Sequence, residues 1–387
     1  MSSRRYLVTN LRAFSTIKEL HRSVFYSKCG EEIRSLLQTP EVIRNPSARP
    51  RTRSFLRVAQ WNIETGRRAK AVASLIESDE ILHWADVILL NEADYGMARS
   101  GNLHVARLIG EQLGMHVAFC PAHIELTPAS GEDLAAGGEN CESLQGNAVL
   151  SRHPIIDARV IRLPACFEPY EFHEKRYGYR NCLLTKLSVH GYDLWAGSVH
   201  LEVRNTPGCR ALQMRHLLTR LPARPDEAFV LGGDFNSNGF LRGSRWRTVA
   251  SVCRLLSSAP EIMKARLRHP ERRAEPLFRI AAHHGLSWTD LNSDDATATA
   301  AIGMLEDASM LPRAVARWAT RRLLHYHGRL DFKLDWLLGR NIRALHHGES
   351  RDPLSGTASE DPACVSTERI GDARLSDHSP ISADIRL

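Results

Sequence analysis

Apolar runs in this chain repeatedly stop at carboxylates, carboxamides or histidines, and that placement constrains the fold more than any other feature. The runs end as Gln60-Trp61-Asn62-Ile63-Glu64, Leu89-Leu90-Asn91-Glu92-Ala93-Asp94, Ser198-Val199-His200-Leu201-Glu202, Val230-Leu231-Gly232-Gly233-Asp234-Phe235-Asn236 and Leu334-Asp335-Trp336. A further group, Ser376-Asp377-His378-Ser379-Pro380, stands just before a last apolar run. Polar residues at successive strand ends converge on one rim of a sheet sandwich, where loops carry function.

The surrounding pattern predicts strands over 55–61, 86–90, 116–120, 148–151, 158–163, 182–189, 193–200, 228–232, 333–338, 342–346 and 381–385. Helices are expected over 69–77, 103–113 and 207–221, and a Gly-rich acidic loop over 128–142. Many strands with few connecting helices predict two sheets face to face with helices outside. Between about 240 and 326 lies a long, mostly helical segment with basic residues at Arg242, Arg245, Arg247, Lys264, Arg266, Arg268, Arg272 and Arg273, an insertion or lid candidate.

Residues 1–54 read as a basic extension, with one amphipathic helix over 17–37 followed by a Pro- and Arg-rich linker, and residues 55–387 as the main domain. Residues 1–57 hold 12 Lys/Arg against 4 Asp/Glu, which accounts for the whole net charge of +7. Such an arm suits phosphate polymers or anionic surfaces, and equally a solvated extension. The eight cysteines form no C-x-x-C pairs, so neither a zinc site nor a disulfide framework is expected, and buried free thiols are. No apolar run is long enough for a transmembrane helix or secretory signal, and the expectation is a cytoplasmic protein.

The residue types at the strand ends suit phosphate chemistry. A hard cation takes oxygen ligands, which Glu92 with Asn62, Glu64 and Asp377 would supply. Asp234 suits the deprotonation of water, with Asn236 holding the same water or a phosphate oxygen. His378 would stabilise phosphorane charge, with Asp335 accepting from its other ring nitrogen. Taken alone, each of these motifs is also a common turn or helix cap.

Taken in order, the motifs resemble the endonuclease/exonuclease/phosphatase superfamily from about Phe55 to Leu387. The resemblance implies a four-layer α/β/β/α sandwich of two mixed β-sheets, like that of deoxyribonuclease I, and Mg²⁺-dependent phosphoester hydrolysis, with Mn²⁺ as a substitute. It places Asn62 and Glu92 at the metal, with Glu64 where many members have Asp and Asp377 in the terminal Asp-His pair. It places Asp234 and Asn236 on the attacking water, Asp335 behind His378, His200 as a second histidine and Arg180 on the substrate phosphate.

The superfamily spans nucleases, lipid and inositol phosphatases and small-molecule phosphodiesterases, and shared catalytic residues do not choose among them. The basic insert favours a phosphate-rich substrate, nucleic acid included, with Trp61, Trp246 and Trp288 as stacking candidates. No extended hydrophobic hairpin of the membrane-docking kind stands out. A catalytically inactive nucleic-acid-binding protein using the basic arm is the alternative, and a scaffold with an N-terminal partner helix a third.

Overall fold

The computed structural model describes residues 3–127, 137–241, 244–301, 312–324, 328–352, 355–367 and 374–387. Most of the acidic loop expected over 128–142, together with Arg242 and residue 326 of the insert, lies outside them, as do the side chains of Arg245 and Arg273.

Helices α1 (Ser3–Arg12), α2 (Ile17–Arg22) and α3 (Val24–Gln38) come first, followed by strand β1 (Glu41–Ile43). Then follow β2 (Leu56–Asn62), α4 (Ala69–Ser78), β3 (Val87–Tyr95), α5 (Val105–Leu113) and β4 (His116–Glu125). Next come β5 (Leu144–Ser151), β6 (Ile155–Arg162), β7 (Arg176–Gly178), β8 (Asn181–Val189), β9 (Tyr192–His200), α6 (Pro207–Leu218) and β10 (Ala228–Asp234). The insert holds α7 (Arg245–Leu256), α8 (Pro260–Arg268), α9 (Pro270–Arg273), α10 (Leu277–His283), β11 (Ala298–Ala301), α11 (Arg313–Leu324) and β12 (Arg329–Phe332). Strands β13 (Asp335–Arg340), β14 (Arg343–Leu345), β15 (Ala363–Cys364) and β16 (Ile381–Arg386) close the chain.

The first sheet runs β1-β4-β5-β3-β2-β16-β14, with β7 on β4 and β15 on β16, and the second runs β13-β10-β9-β8-β6. Each is mixed, since β2 and β3 are parallel, as are β9 and β10, within otherwise antiparallel ladders. Val58, Leu89, Ala118 and Val149 of the first sheet meet Leu183, Leu194, Val230 and Leu337 of the second in a buried interface. Helices α4 and α5 cover the outer face of the first sheet through Val72, Ile76, Val105 and Ile109. Helices α6 and α10 cover the second through Met214, Leu217, Leu277 and Phe278. The result is the expected four-layer sandwich. Strand β2 is buried along its whole length because both faces are covered, and its polar side chains are paired there, Arg57 with Asp384 and Gln60 with Asn91 and Asp335.

The N-terminal segment differs in detail from its expected form. The single helix expected over 17–37 is broken at Ser23, whose extended backbone and Oγ, accepting from the Tyr26 N–H, start α3 as a fresh helix. Helix α1 adds a third helix, and β1 pairs antiparallel with β4 inside the expected linker. These helices are docked: Leu7, Leu11, Leu20, Ile33 and Leu37 share a buried cluster with Ile124, Leu126, Tyr170 and Tyr177. Much of the arm's charge is spent locally, Arg4 on Glu142, Arg5 on Glu139, and Arg51 and Arg53 on Asp86.

Six cysteines are free, but Cys166 and Cys209 are disulfide-bonded, with their Cα atoms 6.2 Å apart. Free thiols were expected throughout, because a pair 43 residues apart leaves no local spacing signal. The bond joins the loop after β6 to the first turn of α6. No described helix is long and apolar enough to cross a membrane.

Two expectations follow for stability. Truncation before Thr39 removes the α1–α3 face, and Leu11→Ala, at a fully buried site, costs about 2–4 kcal/mol in a urea melt. The second concerns His153, which is almost fully buried, with its ring against His190. Burial, with His190 and Arg53 adding, pushes its pKa down from 6.5 to about 4. Between these values the unfolded chain takes up a proton that the folded state refuses. Stability therefore falls as pH drops through that window, by up to about 3 kcal/mol. Urea midpoints at pH 7.5 and 5 measure this, and His153→Gln shrinks the difference.

Candidate active site

Strand register assembles the site before any side chain is considered. Asp234 on β10 lies opposite His200 on β9 and Asp335 on β13, so three functional residues share one row of the second sheet. Asn62 lies opposite Asn91 at the same rim of the first sheet. Close approach of β9 and β10 depends on Gly233, where a Cβ would overlap the Val199 carbonyl oxygen. Three of the expected site residues take left-handed backbone, Glu64 (φ 44°) among them. Glu92 (φ 62°) sits at a bulge in the β3–β5 ladder, and Asn236 (φ 50°) turns the chain just after β10.

Asp234 is the centre. Its Oδ1 accepts the Asn236 N–H (2.8 Å), while Oδ2 accepts from Asn62 Nδ2 and Asn236 Nδ2, both at 3.2 Å. His200 Nε2 lies 3.3 Å and His378 Nε2 3.8 Å from the same Oδ2. Burial, with Asp335 and Glu92 adding and His378 opposing, raises the Asp234 carboxyl to about 7.

The two histidines are in opposite states. Arg180 Nη1 is 2.8 Å from His200 Nδ1, and a guanidinium only donates, so Nδ1 is the acceptor and Nε2 carries the hydrogen towards Asp234. Burial, Arg180 and His378 hold the His200 pKa well below its ordinary value, so the ring is neutral. At His378 burial pulls the other way from its surroundings, and Asp335, Asp377 and Asp234 outweigh it, raising the pKa. His378 Nδ1 donates to Asp335 Oδ2 at 2.6 Å. Asp335 also accepts from Thr297 Oγ1 (2.7 Å) and Gln60 Nε2 (3.1 Å).

Glu64, Glu92 and Asp377 form a second, purely acidic group. Glu64 Oε2 accepts the Asp377 backbone N–H at 3.0 Å, and Asn62 Nδ2 reaches Glu92 Oε1 at 3.3 Å. Burial, with Asp377 and then Glu92 adding, raises the Glu64 carboxyl to about 7. Mutually repelling oxygen donors of this kind fit a hard divalent cation. Among the described residues, the group whose ligand atoms all lie within 4.8 Å of one another is a different one, Asp234, Asp335 and His378, close enough to share an ion. There, however, the short His378–Asp335 bond and the Thr297 and Gln60 donors already occupy the Asp335 oxygens, which favours a hydrogen-bonded pair.

All the expected residues meet at this rim, and Glu92, Arg180, His200, Asp234, Asn236, Asp377 and His378 line one cleft of about 360 Å³. Arg176 and Arg204 line it together with Glu174, with which both are paired, while Phe240, Phe332 and Leu334 form an apolar wall. Asn62, expected at the metal, has its Oδ1 accepting the Glu64 N–H while its Nδ2 bridges Glu92 and Asp234. Trp61 is no stacking platform, being buried with Nε1 donating to the His378 carbonyl. Trp288 packs on Phe278, and Trp246 alone of the three is fully exposed. Sequence reasoning missed Thr297, which carries no local signal, and Asn147, a polar residue buried in β5 that donates to Asn181.

With this geometry in hand, comparison is informative. The family model described as Endonuclease/Exonuclease/phosphatase family matches residues 59–378. The chain belongs to that family. No curated protein matches. Among solved structures, the chain is similar to an endonuclease/exonuclease/phosphatase from Beutenbergia cavernae DSM 12333 at 18% identity, over 86% of this chain and 72% of that one, with a TM-score of 0.49. It is also similar to D. rerio TDP2 complexed with single-strand DNA product, at 14% identity over 86% and 100%, TM-score 0.47. The human Nocturnin catalytic domain with bound sulfate is similar at 16% identity over 89% and 97%, TM-score 0.45. Members of the endonuclease/exonuclease/phosphatase family are hydrolytic, acting as phosphoesterases and nucleases.

Thr297 offers a direct check on the polar scaffold. Its Oγ1 donates to Asp335 Oδ2 and accepts the Leu334 and Asp335 N–H groups, all buried or half-buried. Thr297→Val is expected to lower unfolding free energy by about 2 kcal/mol in urea, with Thr297→Ser restoring it.

Proposed function

We propose that this chain is a divalent-metal-dependent phosphoric ester hydrolase, a phosphodiesterase or nuclease that directs water in line at phosphorus. One observation carries the reading: neutral His200 and charged His378 both aim Nε2 at the buried Asp234 carboxylate, beside an acidic group that fits a cation.

Glu92, Glu64 and Asp377, with Asn62 beside them, would hold Mg²⁺, or Mn²⁺ in its place. When bound, the ion polarises the phosphoryl group and stabilises the leaving oxygen. Arg180 binds a non-bridging phosphate oxygen. Asp234, oriented by Asn236, takes a proton from the attacking water as the new P–O bond forms and the ester P–O bond breaks. His378 donates from Nε2 to the charge that builds on the phosphoryl oxygens, with Asp335 holding the ring and balancing its charge. His200 keeps its Nε2–H on Asp234 and is a second donor at the reacting centre. The substrate is a phosphate ester, nucleic acid among the candidates.

The inactive, arm-based binding alternative has less support. Glu92, Arg180, His200, Asp234, Asn236, Asp377 and His378 line one cleft, and Arg4, Arg5, Arg51 and Arg53 of the arm are engaged in ion pairs.

Hydrolysis of bis-p-nitrophenyl phosphate tests the reading. Turnover is expected with Mg²⁺ or Mn²⁺, none in EDTA, and a loss of about 10²–10⁴-fold in kcat for Asp234→Ala or His378→Ala. Absence of turnover on any phosphoester by folded, metal-supplied protein overturns it. A panel of plasmid DNA, single-stranded RNA, sphingomyelin and inositol phosphates then assigns the substrate.

A further inference from the structure

The helical insert carries a surface that hydrolysis at the cleft does not use. Helices α7, α8 and α11 bury one side in a separate small core around Val252, Leu255, Met263, Leu267 and Leu323. Helices α7 and α11 lie side by side, with Arg322 Nε donating to the Leu256 carbonyl at 3.0 Å. Across the three helices, nine Arg and Lys264 stand against one acidic residue, Glu261. A solvated helix face ordinarily mixes both signs. Arg247, Arg254, Lys264, Arg268, Arg313, Arg317 and Arg321 are exposed.

Large apolar side chains emerge among these charges. Trp246 is 78% exposed, Leu324 66%, Ile262 57% and Trp318 38%. At about 100° per residue, Arg313, Arg317, Trp318, Arg321 and Leu324 fall within one outward arc of α11. Exposed side chains of this size, on helices whose exposed charges are almost all cationic, have the composition of a surface that enters a lipid headgroup layer. Cations meet lipid phosphates there, and Trp, Ile and Leu leave water. A nucleic-acid strand accounts for the charge and the tryptophans, but gives Ile262 and Leu324 no partner. A lipid layer offers an apolar partner to each of them.

We infer that α7, α8 and α11 form a docking surface for membranes rich in anionic lipid. The same small core includes Phe240 and Phe332, which line the catalytic cleft, so the helices that carry the surface also back the cleft wall. The inference is independent of catalysis, because binding is read without metal or turnover.

The test uses the full-length chain and phosphatidylcholine vesicles with and without about one-third phosphatidylglycerol, in a sedimentation assay at low and high salt. Sedimentation with the anionic vesicles alone, weakened by salt, is expected. Arg317→Glu with Arg321→Glu should lower the partition coefficient about tenfold or more. Trp246→Ser, at a position too exposed to disturb folding, should lower it as well and diminish the blue shift of tryptophan emission on vesicle addition. No sedimentation with anionic vesicles overturns the inference, as does vesicle binding that neither substitution weakens. Binding of a single-stranded oligonucleotide through these residues, without vesicle binding, overturns it in favour of nucleic acid.

Discussion

A buried polar seam between the two sheets holds the rest of the site in place. The sandwich is apolar through its middle, so polar groups at its rim have only each other as partners. Asn91, fully buried on β3, makes the central connections. Its Oδ1 accepts the Asp234 N–H at 2.8 Å, and its Nδ2 reaches Ser198 Oγ and the Val199 carbonyl at 3.2 Å across the interface. Gln60 joins Asn91 to Asp335 in the same layer. Leaving one such group unpaired costs its desolvation, which makes the relative position of the sheets stiff where the chemistry lies.

That stiffness explains how charged groups with opposing needs coexist. Asp234 and Asp335 occupy one row of one sheet and repel each other, yet His378 lies between their oxygens and Thr297 and Gln60 donate to Asp335. His200, a few ångströms away, is kept neutral by burial and Arg180. One histidine is thus prepared to stabilise negative charge and the other to donate a fixed hydrogen. The difference comes from their neighbours, Arg180 beside one ring and Asp335, Asp377 and Asp234 around the other.

The insert and the N-terminal helices show two ways of adding to this sandwich. Helices α1–α3 extend the main core and place a short strand on the edge of the first sheet, so they are part of its packing. The insert divides its packing: α10 covers the second sheet, while α7, α8 and α11 build a small core of their own on the β11–β12 pair that lends Phe240 and Phe332 to the cleft wall. Its outward charge is therefore free of any role in holding the sandwich together.

The sequence by itself determined the longer strands of both sheets, the two-sheet architecture and the residue types at one rim, because apolar periodicity and strand-end polarity are local properties, whereas the short strands β1, β7, β11, β12 and β15 carried no such pattern. Asp234, His378, Glu92 and their partners were legible for that reason. Tertiary structure alone decided what depends on distant pairing. Thr297 meets Asp335 from 38 residues away, Asn91 meets Asp234 from 143, and Cys166 meets Cys209 from 43. It also decided the tautomer of His200, the bridging use of Asn62 and the docking of the basic arm. Each of these depends on which groups share a buried space, and a hydrogen bond formed in that space leaves no mark on the spacing of residues along the chain.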